Sequence, residues 1–207
     1  ADGFVPFARV NSGETAYPEL ELKAEYIDGG NVTVRAEEYV YSSESDTIVW
    51  ISDTQYYTRY EDLLDKYEAA LKYYAKLYSE GRAGFFIHTG DVADEYDPAK
   101  TIEEQLGRAS KLHSRYLDNA GLPNGIVDGN HDVGQSKRDS SYFVKYFGAE
   151  RYGDSSWFYG DLNNNESHYD LISLGGYDFV LLWLGYGVEA EPETMAWAKD
   201  VLGRFKN

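Results

Sequence analysis

The sequence predicts an α/β fold built on a parallel sheet, from three observations. Three apolar runs, Ile48-Val49-Trp50-Ile51, Phe85-Phe86-Ile87 and Ile126-Val127, each lead into a polar loop carrying Asp or Asn. Continuous apolar runs suit strands buried on both faces. Between them lie two stretches with apolar residues three and four apart, the spacing of an amphipathic helix. The loops also recur at a near-constant interval, Asp91 following Asp53 by 38 residues and Asn130 following Asp91 by 39. One strand and one crossover helix fill such an interval, so right-handed βαβ units bring all three loops to one sheet edge.

Residues 1–46 read as a β-rich extension or the end of a preceding β module. Leu20, Leu22, Ala24 and Tyr26 alternate with polar residues, Asp28-Gly29-Gly30-Asn31 supplies a turn, and Val32, Val34 and Ala36 alternate again. That pattern predicts an N-terminal β-hairpin. Ser42 to Asp46 reads as a polar linker. The main domain spans 47–207. Its first helix carries Leu63, Leu64, Tyr67, Leu71, Tyr74 and Tyr78, with Gly81 as C-cap. Asp97-Pro98 opens the second helix, because Pro suits the first helical position. Ile102, Leu106, Ala109, Leu112 and Tyr116 form its apolar side, and Gly121 ends it. After Val133 the chain is loop-rich, with a short helix predicted over Tyr142–Phe147. Two antiparallel strands follow near Tyr169–Leu174 and Phe179–Leu184, joined by Gly175-Gly176. An amphipathic helix then runs from Pro192 through Trp197, Val201 and Phe205.

A chain of 207 residues can bury one real core. Its 19 basic against 36 acidic residues give a net charge of −17, which argues against a nucleic-acid or anionic-membrane surface as the main partner. The absence of cysteine excludes disulfides and thiolate zinc sites. No apolar run approaches the roughly 20 residues of a membrane span. Ala1-Asp2-Gly3 reads as a processed or cut end.

The loops suggest chemistry. Asp53, Asp91 and Asn130 supply hard oxygen donors suited to Mn, Mg, Ca or Fe, and to Zn where an imidazole joins them. A shared carboxylate bridging two cations is the geometry of two-metal phosphoester hydrolysis. His131 is then best kept off the metal to protonate a leaving oxygen, with Asp94 to fix its tautomer. Asp132 can hold its own loop.

Asp53-Thr54-Gln55, Gly90-Asp91-Val92-Ala93-Asp94 and Gly129-Asn130-His131-Asp132 resemble the first three motifs of the calcineurin-like metallophosphoesterases. The resemblance covers roughly 47–207. It implies a β-sandwich flanked by helices, here with the N-terminal β-hairpin extension. It further implies two divalent ions (Mn, Fe, Zn, Mg or Ca), with Asp53 and Gln55 on the first, Asp91 bridging and Asn130 on the second. His131 and Asp94 form the acid pair. The implied activity is hydrolysis of phosphomonoesters or phosphodiesters by a two-metal-activated water, a phosphatase or phosphodiesterase. Gln55 stands where the family usually has His, a feature of large secreted bacterial members. That implies a secreted or cell-surface setting, with the cytoplasm as the alternative. The family completes its site with later histidines, yet none follows His168. The domain therefore reads as incomplete at its C-terminus and as part of a larger multidomain protein, with apolar sheet surface left open. The rival function is a cell-surface binding or structural module with a degenerate, inactive metal site.

Other residues have plainer readings. His88 is expected as a hydrogen-bonded core histidine, His113 as surface and His168 at a strand edge. Tyr56 and Tyr57 either contact substrate or pack over the first loop. Asp161, Asn163 and Asn165 mimic the start of a calcium loop, but Glu166 stands where Gly is needed.

Overall fold

The computed structural model describes residues 41–95, 101–134 and 138–205. The hairpin expected over Leu20–Ala36 and the helix start at Asp97-Pro98 lie outside them. Strand β1 (Tyr41–Ser43) is followed by β2 (Ile48–Ile51), helix α1 (Gln55–Arg59), α2 (Leu64–Ser79), β3 (Phe85–His88) and α3 (Ile102–Tyr116). Strand β4 (Asn124–Ile126) leads into the single turn α4 (Asn130–Val133) and then α5 (Ser141–Phe147). The chain finishes with β5 (Phe158–Leu162), β6 (Ser167–Leu174), β7 (Tyr177–Trp183) and α6 (Pro192–Arg204).

The apolar runs pair as foreseen, β2 and β4 flanking β3 in a parallel sheet, with Ile48 opposite Phe85 and His88 opposite Ile126. In the second sheet β6 is central. It pairs antiparallel with β7 along one edge; along successive lengths of the other it pairs antiparallel with β5 and parallel with β1. Alternation along the strands sorts side chains into layers. Phe86 faces Tyr67, Leu71 and Tyr74 of α2 together with Leu106 and Phe147, while its neighbour Phe85 faces Ile172, Leu174 and Trp183 of the other sheet. On the far side of that sheet, Tyr169 and Leu171 pack on Val201 of α6. The order is helices, sheet, sheet, helix, a β-sandwich flanked by helices.

Thr101 caps α3 with a reciprocal capping box to Glu104, which fixes the helix start. Gly175 and Gly176 turn the β6–β7 hairpin with φ of 54° and 85°. Several features depart from expectation. Ser42 and Ser43, read as linker, belong to β1, because Tyr41 packs edge-on against Trp157 at 6.0 Å and draws the segment onto β6. Helix α1 and strand β5 were not foreseen. On β7, Tyr177 and Phe179 are exposed.

Candidate metal centre

All three polar loops sit at the C-terminal ends of the parallel strands. Asp53 and Asp91 both adopt left-handed backbone, with φ of 56° and 54°. That conformation is uncommon outside glycine, and strained residues of this kind cluster at functional sites. The Asp53 N–H donates to the Gly90 carbonyl at 3.1 Å, tying the first loop to the second. A Cβ at Gly129 would fall 2.3 Å from Asp91 Oδ1, and one at Gly90 2.3 Å from the Gly129 nitrogen. Glycine at both positions lets the second and third loops lie backbone against backbone. Asp91 Oδ1 then accepts the His131 N–H at 2.9 Å. The fully buried Asp132 closes the third loop, accepting from Ala93 N–H at 2.7 Å and Gly129 N–H at 2.8 Å.

The His131 ring meets Asp94, with Nδ1 3.4 Å from Oδ1. Arg59 from α1 pairs with the other Asp94 oxygen. Gln105 of α3 grips the Asp94 main chain, accepting its N–H at 2.8 Å and donating to its carbonyl at 2.9 Å. Arg108 donates to the Thr58 carbonyl at 3.0 Å, anchoring α1 from α3. Arg59 and Gln105 were missed from sequence. A signal did exist for Arg59: it stands four residues after Gln55, on the same side of any helix following the loop.

The donor set fits divalent cations. Gln55 is buried, yet its Oε1 accepts no hydrogen bond, and a buried acceptor left alone is costly. Burial pushes the Asp91 carboxyl above its ordinary range, with Asp53 and Asp94 adding repulsion and the His131 N–H opposing them. A cation among these oxygens relieves both penalties. Gln55 and Asn130 make no side-chain hydrogen bond to Asp53 or Asp91. Among the described residues no three His, Asp or Glu side chains converge as a ready cage.

The sequence profile of the calcineurin-like phosphoesterases matches residues 47–203. The chain belongs to that family. Metal-dependent phosphoester hydrolysis is the chemistry of the family in general. An uncharacterized Bacillus subtilis (strain 168) protein, YvnB, is 38% identical over 159 residues, which make up 75% of this chain and 11% of that protein. The chain thus spans a small part of this relative's length. No solved structure matches.

Within the phosphoesterase domain the histidines divide sharply. His88 is fully buried as expected; the Gly90 N–H donates to its Nδ1 at 3.2 Å, and its Nε2 lies 2.8 Å from Thr54 Oγ1. Burial holds its pKa down at about 3. His113 is not at the surface. It is fully buried, with Nε2 2.6 Å from the Tyr67 hydroxyl, because it extends the Leu106–Ala109 face of α3 by one turn. His168 is buried in the central strand β6 and stacks on Trp183 at 5.0 Å, away from any edge. Asn163, Asn164 and Asn165, all left-handed, form the β5–β6 turn. Tyr56 is exposed and stacks on Tyr60 at 6.1 Å. Tyr57 is exposed as well, so neither tyrosine is buried over the loop.

Proposed function

We propose that this chain is a hydrolase domain for phosphomonoesters or phosphodiesters, working with two divalent ions at Asp53, Gln55, Asp91 and Asn130. The observation that carries it is the meeting of the second and third loops, where Asp91 Oδ1 accepts the His131 N–H while the same residue's ring lies 3.4 Å from Asp94. Divalent ions at these oxygens supply neutralisation of phosphate charge and an acidified water. The rest falls to the chain. Asp94 faces His131 Nδ1 and so fixes the ring, leaving Nε2 as the atom that delivers a proton to the leaving oxygen. Arg59 and the Gln105 clamp hold Asp94 in position for that task. Asp132 keeps the loop of Asn130 and His131 shut against Ala93.

The rival, a binding or structural module with an inactive metal site, draws support from the lack of three converging His, Asp or Glu side chains among the described residues. A secreted or cell-surface setting within a larger protein goes with the present reading. Gln55 supports the first part, and the small share of the Bacillus relative that the chain spans supports the second.

The test is hydrolysis of an aryl phosphate and a bis-aryl phosphate with Mn²⁺, Fe²⁺, Zn²⁺, Mg²⁺ or Ca²⁺. Activity lost on chelation, and reduced about 10²–10⁴-fold by His131→Ala, supports the enzyme. Silence with every ion leaves the binding module.

A further inference from the structure

We infer that His88 is a positioning residue for the metal centre: by bonding Gly90 and Thr54 at once, it sets the spacing between the loop of Asp53 and Gln55 and the loop of Asp91. The inference rests on the metal-dependent function proposed above, and it adds a side chain not among the proposed metal ligands.

The geometry is specific. His88 is the last residue of β3 and has no solvent exposure. The Gly90 N–H can only donate, and it points to Nδ1 at 3.2 Å. The ring hydrogen of the neutral imidazole therefore sits on Nε2 and is donated to Thr54 Oγ1 at 2.8 Å. Thr54 stands between Asp53 and Gln55, and Gly90 immediately precedes Asp91. One ring thus spans the two loops. A second link runs beside it, from the Asp53 N–H to the Gly90 carbonyl at 3.1 Å, so Gly90 is held through both its N–H and its C=O.

The ring is itself anchored. The Tyr67 hydroxyl lies 2.6 Å from His113 Nε2. The Tyr67 ring meets His88 edge-on at 6.1 Å. This buried chain ties the loops to α2 and α3. A residue needed only to fill the core would be served by an apolar ring. Here both nitrogens are spent on the two segments that present Asp53, Gln55 and Asp91.

The experiment is Mn²⁺ titration calorimetry on the whole chain, with thermal melting of the metal-free protein alongside. His88→Phe keeps the ring and drops both bonds. His88→Asn keeps an acceptor near Gly90, and His88→Gln keeps a donor that reaches Thr54. Thr54→Val keeps His88 and drops the hydroxyl. Expected are an affinity about tenfold or more weaker in His88→Phe, partial rescue in His88→Asn or His88→Gln, and a loss in the same direction in Thr54→Val. Turnover at saturating Mn²⁺ recovers towards that of the wild type. If His88→Phe does not fold, Thr54→Val decides. Wild-type affinity in Thr54→Val, or losses that merely track melting temperature without rescue, overturn the inference alone. A wild-type chain that takes up no Mn²⁺ overturns the proposed function and this inference together.

Discussion

Asp91 accepts the backbone N–H of His131 at 2.9 Å, so the carboxylate at the end of one strand orients the residue that follows Asn130 on the next loop. The proposed metal ligand and the proposed acid are thereby built into one unit. Asp91→Asn keeps an oxygen acceptor for that N–H and removes the charge. Because Asp91 is crowded by Asp53 and Asp94, the metal-free variant is expected to melt no lower than the wild type while hydrolysis disappears. Melting curves in a chelator, beside an aryl phosphate assay, check both halves. A variant that is clearly destabilised without metal counts against the crowding account.

Gly129 tests the loop contact from the other side. Its φ is −113°, so the demand on it is for space and not for left-handed backbone. A Cβ there meets Asp91 Oδ1 at 2.3 Å and Asp91 N at 2.5 Å. Gly129→Ala is expected to cost about 1–3 kcal/mol of stability and to abolish Mn²⁺-dependent turnover. Denaturant unfolding and the hydrolysis assay read the two effects. Full activity in this variant is incompatible with the packing described.

Arg59 is the outer partner of Asp94, and both side chains are largely buried. Arg59→Met leaves one Asp94 oxygen short of its charged donor. A stability loss of about 1–3 kcal/mol follows, with a fall in kcat smaller than that of His131→Ala, since Gln105 still grips the Asp94 main chain. Urea midpoints and steady-state kinetics measure these. An unchanged midpoint removes the structural part of this role.

The buried histidines predict acid sensitivity. Burial lowers the His88 pKa from 6.5 to about 3 and holds His113 well below 6.5. A base with a depressed folded pKa is protonated first in the unfolded chain. Its stabilising contribution is therefore complete above pH 6.5 and is lost as pH falls towards the folded value. Each such histidine contributes a slope of about 1.4 kcal/mol per pH unit inside that window. The buried Asp128 and Asp132 carboxyls, raised to about 7 and about 8, give slopes of the opposite sign in the same range, so the difference from a variant isolates the histidine. Chemical denaturation at stepped pH from 7.5 to 4.5 is expected to show the wild type losing stability relative to His88→Phe below about pH 6.5. Parallel profiles for the two proteins contradict the assignment.

Strand ends and their loops were legible because the evidence for them is local. Ile48–Ile51 and Phe85–Ile87 are apolar runs closed by polar turns, and the interval between the loops encodes the crossover; β3 is buried as a continuous run should be, but β2 is only half-buried, with Trp50 exposed. Asp94 and His131 were readable as a pair because each follows a motif glycine at short range. Strand β5 hid because Gly160 and Asp161 interrupt its apolar character; it forms by pairing with β6 through a register shift between Phe158 and Gly160. Strand β1 hid because its two serines carry no strand signal, and its place is set by Ile172–Leu174 opposite. Gln105 reaches Asp94 across 11 residues of sequence and leaves no periodic trace, while Arg59, 35 residues from Asp94, was marked only by its place four residues after Gln55. His113 is a different case. The 106–109–113 spacing already marked it as core, and its polarity outweighed a pattern that was present.

The most direct test of the central claim is the number of Mn²⁺ ions bound, by titration calorimetry with elemental analysis, in the wild-type chain and in Asp91→Asn. Asp91 is the proposed bridge between two sites. The account predicts two ions in the wild type and a loss affecting both sites in the variant. No uptake by the wild type, or uptake that Asp91→Asn leaves unchanged, contradicts a metal centre built on Asp53, Gln55, Asp91 and Asn130.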